Sequence, residues 1–393
     1  MTAPPRPRRI ESIDLLRGIV MILMALDHTR EYFGATAISP TDLTRTSTAL
    51  FMARWITHIC APTFFFLTGT SAWLTLGRRT IPQLSRLLIT RGVWLVVLEL
   101  TIVRCFGYQF NVDYRVTMLV VLWALGWAMI VLGLLVHLPM TPITAFGATL
   151  IAAHNLFDPV RAASLGALAP LWTILHAPGI VVATPAYTVF AAYPLVPWIG
   201  VTAVGFSLGP LYAQGDERRR RTLLRLAVAS IVGFVVLRWV NIYGDPSPWT
   251  SQRSALFSLL SFLNTTKYPP SLLFLLMTLG PALLILWLAD ARTPSLLRPA
   301  VVVGKVPLFY FVLHLSLIHL LAVVVCYARY GSAHWMFESP RLDQYPITPP
   351  PGWGYSLPIV YVLWAIVVLA LYPLCRWYAA VKTRRGAWWL SYL

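Results

Sequence analysis

Residues 12–33 read SIDLLRGIVMILMALDHTREYF, an apolar stretch of membrane-crossing length that carries Asp14, Arg17, Asp27 and His28. A charged side chain at the centre of a membrane helix costs at least about 2.5–3.5 kcal/mol, so such groups turn toward a protein interior or a wet cavity. This segment is therefore an inner helix, enclosed by others. Arg17 and His28 stand eleven residues apart. That is close to three helical turns, so they share a face, about 16 Å apart along the axis at ~1.5 Å per residue. One face thus presents a guanidinium toward one side of a bilayer and an imidazole toward the other. The pattern predicts a polar path with a titratable group at its far end.

The rest of the chain supports a membrane bundle. Charged residues make up 11% of the chain and hydrophobic residues 58%, whereas a soluble domain carries about 25% charged residues. The net charge of +17 does not indicate nucleic acid, because the basic residues cluster beside hydrophobic segments, where the positive-inside bias puts them. No nucleic-acid partner is expected. Cys60, Cys105, Cys326 and Cys375 form no CxxC pair and read as small core residues, with neither a disulfide framework nor a metal site. The N-terminal MTAPPRPRRI is basic, but the span after it lacks a small-residue cleavage pattern and is expected to remain as the first transmembrane helix.

Hydropathy predicts spans at 12–34, 50–76, 85–106, 116–137, 141–157, 188–213, 222–243, 270–290, 305–328 and 356–379. The expected fold is all-α: one domain over 1–393, a polytopic bundle of about ten transmembrane helices. The segment 165–185, broken by Pro170, Pro178 and Pro185, reads as a re-entrant or interfacial piece that caps a cavity. With ten spans, the basic runs PRPRR, GRRTIPQLSR, DERRRR, DARTPSLLRPAVVVGK and KTRRG all fall on one side. That side is predicted to be cytoplasmic, with both termini inside.

The candidate chemistry lies along the inner helices. An imidazole suits general base catalysis, which makes His28 the first candidate, with Asp27 or Asp14 as the carboxylate that orients it. Arg17 and the loop arginines suit phosphate or pyrophosphate arriving from the cytoplasm. RWITHICAP places Arg54 and His58 four apart on one helix face. GKVPLFYFVLHLSLIHLL places His314 near mid-membrane and His319 toward the outside, five apart and so on different faces. Lys267 and Tyr268 open the eighth span on the outer side. Glu99, Arg104 and Asp113 read as an interior ion pair with a loop partner, and His154 and His176 as loop or helix-end residues. There is no GxGxxG, Walker A, HExxH or nucleophile elbow, which argues against ATP-driven transport, nicotinamide redox chemistry and zinc proteolysis.

Five blocks carry a family likeness: IESIDLLRGIVMILMALDH, RWITHICAPTFFFLTGTSAWL, YPLVPWIGVTAVGFSLG, KYPPSLLFLLMTLGPALL and VGKVPLFYFVLHLSLIHLL. In this order, and over nearly the whole chain, they resemble the bacterial branch of the heparan-alpha-glucosaminide N-acetyltransferase catalytic-domain family. More distantly, Arg17 and His28 match the R-X10-H pattern in the first helix of the type 3 membrane acyltransferases. The resemblance implies transfer of an acyl group, usually acetyl from cytosolic acetyl-CoA, to a sugar amine or hydroxyl across the membrane. This chain departs from the animal lysosomal enzyme, whose proposed catalytic histidine lies in the first outer loop. Here that loop reads RTSTAL at 45–50 and has no histidine.

The resulting expectation is a membrane acyltransferase of the cell inner membrane. His28 is its base, helped by Asp27 or His58. Arg17, Asp14, Arg78, Arg79 and Arg86 are expected around the acyl-CoA phosphates. Arg54, Lys267, Tyr268, His314 and His319 are expected toward the glycan or amino-sugar acceptor. Partners are thus acyl-CoA, the acceptor and the lipid bilayer, with room for a homo-oligomer. No metal is expected. The competing reading is a transporter or lipid-linked carrier flippase without acyl transfer. A third is an assembly factor for envelope synthesis.

Overall fold

The computed structural model describes residues 10–35 and 39–385. The basic run PRPRR and the last residue of KTRRG lie outside the described residues. Among the described residues, fourteen α-helices follow in chain order. The first four are α1 Glu11–Phe33, α2 Thr48–Thr57, α3 Cys60–Leu74 and α4 Ile81–Leu98, and α4 runs on as a π-helical stretch, Glu99–Tyr108. Next come α5 Val121–Leu135, α6 Met140–Ala153, α7 Ala169–Leu175, α8 Leu195–Leu208 and α9 Asp216–Val240. The last five are α10 Ala255–Leu263, α11 Leu272–Ala291, α12 Arg298–Gly304, α13 Pro307–Tyr330 and α14 Leu357–Arg385.

Helix α1 is buried at 15 of its 23 residues, Asp14 and Asp27 included, and only Glu11 is exposed. A helix so enclosed belongs at the centre of a bundle, and α1 packs against α3, α11, α12, α13 and α14. Small residues let it approach its neighbours closely. A Cβ at Gly18 would overlap the Ala300 carbonyl of α12, and one at Gly304 would overlap the Asp14 carbonyl of α1. At the periphery, α9 and α14 turn apolar side chains outward, among them Trp239, Val232, Leu369 and Trp377.

Among the described residues, six helical segments are long and apolar enough to cross a membrane: 48–78, 195–213, α9, α11, α13 and α14. Of the remaining predicted spans, 12–34 is realised as α1, whose length suffices but whose charge is carried inward. The span 85–106 is realised as α4 with its π-helical extension. The predicted 50–76 is broken at His58 and Ile59, between α2 and α3. Pro62 is the cause: it lacks an amide hydrogen and crowds the carbonyl four residues earlier. Helix α6 has 14 residues, about 21 Å at 1.5 Å per residue, against a hydrocarbon core of about 30 Å.

The all-α expectation needs one correction. Val116–Leu119 forms β1, Gly179–Ala183 forms β2 and Thr188–Ala191 forms β3, in the order β1-β3-β2. β1 pairs parallel with β3, and β2 pairs antiparallel with it. The predicted spans 116–137 and 188–213 therefore begin as strands. Their β-branched openings favour extended backbone, and Pro194 delays the start of α8. The proline-broken segment at 165–185 contributes α7 and β2 to this region.

The basic segments converge. Arg219 bonds both oxygens of Asp290 at 3.0 Å, and Arg220 bonds the Trp287 carbonyl, which joins the 216–221 run to the end of α11. Arg78, Arg79, Arg86, Lys305 and Lys382 meet around Arg17. One end of the bundle is thus strongly cationic. The four cysteines are buried free thiols.

Candidate active site

Arg17 leaves the buried face of α1 between two helices. Its guanidinium bonds Asp14 at 3.2 Å, the Gly304 carbonyl at 3.4 Å and the Ser71 hydroxyl of α3 at 2.8 Å. Contacts from α1, α3 and α12 fix the head group where two cavities meet. The first, about 1240 Å³, is a vestibule lined by Arg17, Arg78, Arg79, Arg86 and Arg91, with Asp14, Gln83 and Tyr212 among the remaining polar groups. The second, about 350 Å³, shares Arg17, Ser71, Thr75 and Arg91 with the first and continues inward. Lys305 and Lys382 join Arg17 and Arg91 among its charged residues, and the rest of its lining is mostly apolar, including Met21, Met24, Phe64, Leu88, Trp94, Leu125 and Phe311. Together they form a cationic mouth that opens into a narrow apolar channel.

The channel runs toward His28. Met24 and Phe311 line it, and His28 and His314 lie one turn farther along α1 and α13. The two imidazole centroids are 5.3 Å apart, and Tyr108 stands edge-on to His28 at 6.0 Å. His28 Nδ1 lies 2.9 Å from a Glu31 carboxylate oxygen. The carboxylate beside His28 is therefore Glu31. Asp27 is held elsewhere, by Arg30 at 2.6 Å and by Arg54 through a short ion pair. Asp14 sits at the vestibule. His314 Nδ1 donates to the Tyr310 carbonyl, 3.0 Å away, and its buried Nε2 has no partner.

The other sequence candidates gather beyond this pair. Lys267 places its ammonium 5.1 Å from the Tyr268 ring centre, and the Tyr268 hydroxyl is 3.5 Å from that of Tyr193. His58 is buried at the α2 C-cap, packs edge-on to Phe274 and leaves Nδ1 without a partner. His319 is committed to structure: its nitrogens meet the carbonyls of Gly107 and Met336 at 3.1 and 2.7 Å, and its ring stacks on Phe110. Arg104 pairs with Asp113 at 3.5 Å as expected. Glu99 does not join them. It accepts the Leu122 amide at 2.8 Å and so caps the start of α5. His154 and His176 close α6 and α7, and both are buried.

The structure therefore assembles Arg17, Arg78, Arg79 and Arg86 in one cavity, and puts His28 and His314 side by side. The sequence reading missed Glu31, Arg91, Lys305 and Tyr108. Glu31 stands three residues after His28, a helical-neighbour spacing that marks it as a candidate partner. Arg91 stands five residues after Arg86 on the helix that walls the vestibule.

A model of the catalytic region of heparan-alpha-glucosaminide N-acetyltransferase matches residues 9–244. That is more than half of the chain. The chain belongs to this family. No curated protein matches it. The matched region of this family member holds α1 to α9, and with them the arginine vestibule, His28, Glu31, Arg54 and His58. Lys267, Tyr268, His314 and His319 lie beyond the match. Family membership, with six helices of membrane-crossing length, makes the chain a multi-pass membrane protein of acetyltransferase type.

Proposed function

We propose that this protein moves an acetyl group from acetyl-CoA, held at the cationic end, to a sugar amine or hydroxyl that reaches His28 from the opposite side. The observation that carries the reading is the arginine vestibule, joined through Arg17 to an apolar channel that runs toward His28. Arg78, Arg79, Arg86 and Arg91 suit the phosphates of a CoA thioester in charge and in hydrogen-bond donors. The narrow apolar channel suits the uncharged arm that follows them. Helix α1 itself spans the ~16 Å between Arg17 and His28.

In this account His28 acts as general base. It takes a proton from the acceptor as the acceptor nitrogen or oxygen bonds to the thioester carbonyl carbon. The carbon–sulfur bond then breaks, and His28 returns the proton to the departing sulfur. Lys267, Tyr268 and Arg54 stand on the acceptor side. The buried Asp27 clamp with Arg30 and Arg54 holds the outer turn of α1 against α2. The cationic end faces the cytoplasm, both termini lie there, and about ten segments cross an inner membrane.

Isothermal titration of CoA into the purified protein tests the donor half. The expected result is saturable binding, weakened at least about tenfold by Arg78→Ala with Arg86→Ala, since each lost charge-assisted bond is worth roughly 1.5–3 kcal/mol. Absence of CoA binding by a folded wild type would reject the acyltransferase reading in favour of transport.

A further inference from the structure

We propose that Glu31 is the positioning residue of the His28 base, and that it sets which imidazole nitrogen does the chemistry. The inference rests on the acetyl-transfer reading and extends it. Glu31 lies one turn after His28 on α1, and its Oε2 is 2.9 Å from His28 Nδ1. An ionised carboxylate only accepts hydrogen bonds. Nδ1 therefore carries the hydrogen, and the lone pair is on Nε2. Carboxylates that hold a catalytic imidazole in this way fix its tautomer and stabilise the imidazolium that forms.

Among the described residues, no other neighbour of the ring is placed to do this. Asp27, the adjacent carboxylate, is occupied by Arg30 and Arg54. Tyr108 faces the ring edge-on from the π-helical stretch, and His314 faces it from α13 with its own Nδ1 at the Tyr310 carbonyl. Neither brings a charge that would choose between the nitrogens of His28. During transfer the acceptor proton moves to His28 Nε2 while the new carbon–nitrogen or carbon–oxygen bond forms and the carbon–sulfur bond breaks. The same proton then moves to the thiolate. Glu31 gains and loses no proton and touches neither substrate.

The test compares wild type, His28→Ala, Glu31→Gln and Glu31→Asp in proteoliposomes, with acetyl-CoA as donor and D-glucosamine as acceptor probe. Nitrogen-15 NMR of labelled histidine, with the His28 signals assigned by their loss in His28→Ala, runs alongside. The expected result is a fall in kcat of at least about tenfold for Glu31→Gln with KM for acetyl-CoA unchanged, because the vestibule is untouched. Glu31→Asp should recover part of the rate. The His28 signals should show a single Nδ1–H tautomer in wild type and a mixture in Glu31→Gln. Wild-type kcat and an unchanged tautomer in Glu31→Gln would overturn the proposal while leaving His28 as base. Full turnover in His28→Ala would instead remove the acetyl-transfer reading and the proposal with it. The NMR comparison needs no acceptor, so it decides the tautomer even if D-glucosamine is not a substrate.

Discussion

At the scale of residues, the neighbours Asp27 and His28 have opposite jobs. Asp27 bridges Arg30 and Arg54, all three nearly buried, whereas His28 pairs with Glu31 and lies one helical turn beyond Met24, where the channel lining ends. Removing one member of a buried ion pair leaves the rest uncompensated, at a cost of about 3–5 kcal/mol. Asp27→Ala should therefore lower stability by roughly that amount in thermal unfolding in detergent, while His28→Ala should unfold close to wild type. The reverse order would mean that Asp27 is not the clamp. The sequence marked both residues as functional, because any ionisable group inside an apolar helix stands out. It could not divide their roles. Adjacent residues on a helix point about 100° apart, and only the surrounding elements show that Arg54 lies on one side and His314 on the other. Glu31 went unremarked for a related reason: at the end of the apolar run it resembles an ordinary solvated helix terminus.

At the scale of elements, the site depends on how closely α1 and α12 approach. Gly18 and Gly304 let the two backbones touch, and this brings the Gly304 carbonyl to Arg17. Gly18→Leu should force them apart, cost about 1–3 kcal/mol or more, and weaken CoA binding along with stability. Gly77, with nothing near its Cβ position, supplies the control, and Gly77→Ala should leave stability unchanged. Unaltered stability and CoA affinity in Gly18→Leu would contradict the packing argument. Element types were legible where the period was long and apolar, as in α11, α13 and α14. They were not legible at 116–119 and 188–191, where four-residue runs that open on two β-branched residues precede helices and hydropathy alone fuses strand and helix into one span. The break before α3 could be read only from Pro62, inside a stretch whose mean hydropathy runs on unbroken across it.

At the scale of the molecule, the fold separates two kinds of chemistry along one axis. Basic residues from three parts of the chain, 78–91, Lys305 and Lys382, collect around Arg17, while Glu31, His28 and the Lys267–Tyr268–Tyr193 group lie farther along α1 and around its opposite end. The convergence of the basic loops was anticipated by the positive-inside pattern, because charge asymmetry between loops is a sequence property. The arginine set of the vestibule was anticipated too, but a polar path was expected where the channel lining is mostly apolar, because that lining comes from helices that meet only when distant parts of the chain pack. The most direct test of the account is sided acetyl transfer. Protein is reconstituted in one orientation, radiolabelled acetyl-CoA is supplied only on the vestibule side, and an amino sugar is enclosed on the other. The account predicts label on the enclosed sugar with wild type, and a rate lower by roughly 10²–10⁴ with His28→Ala. Transfer at equal rates by the two proteins, or label only on sugar placed with the donor, would contradict it.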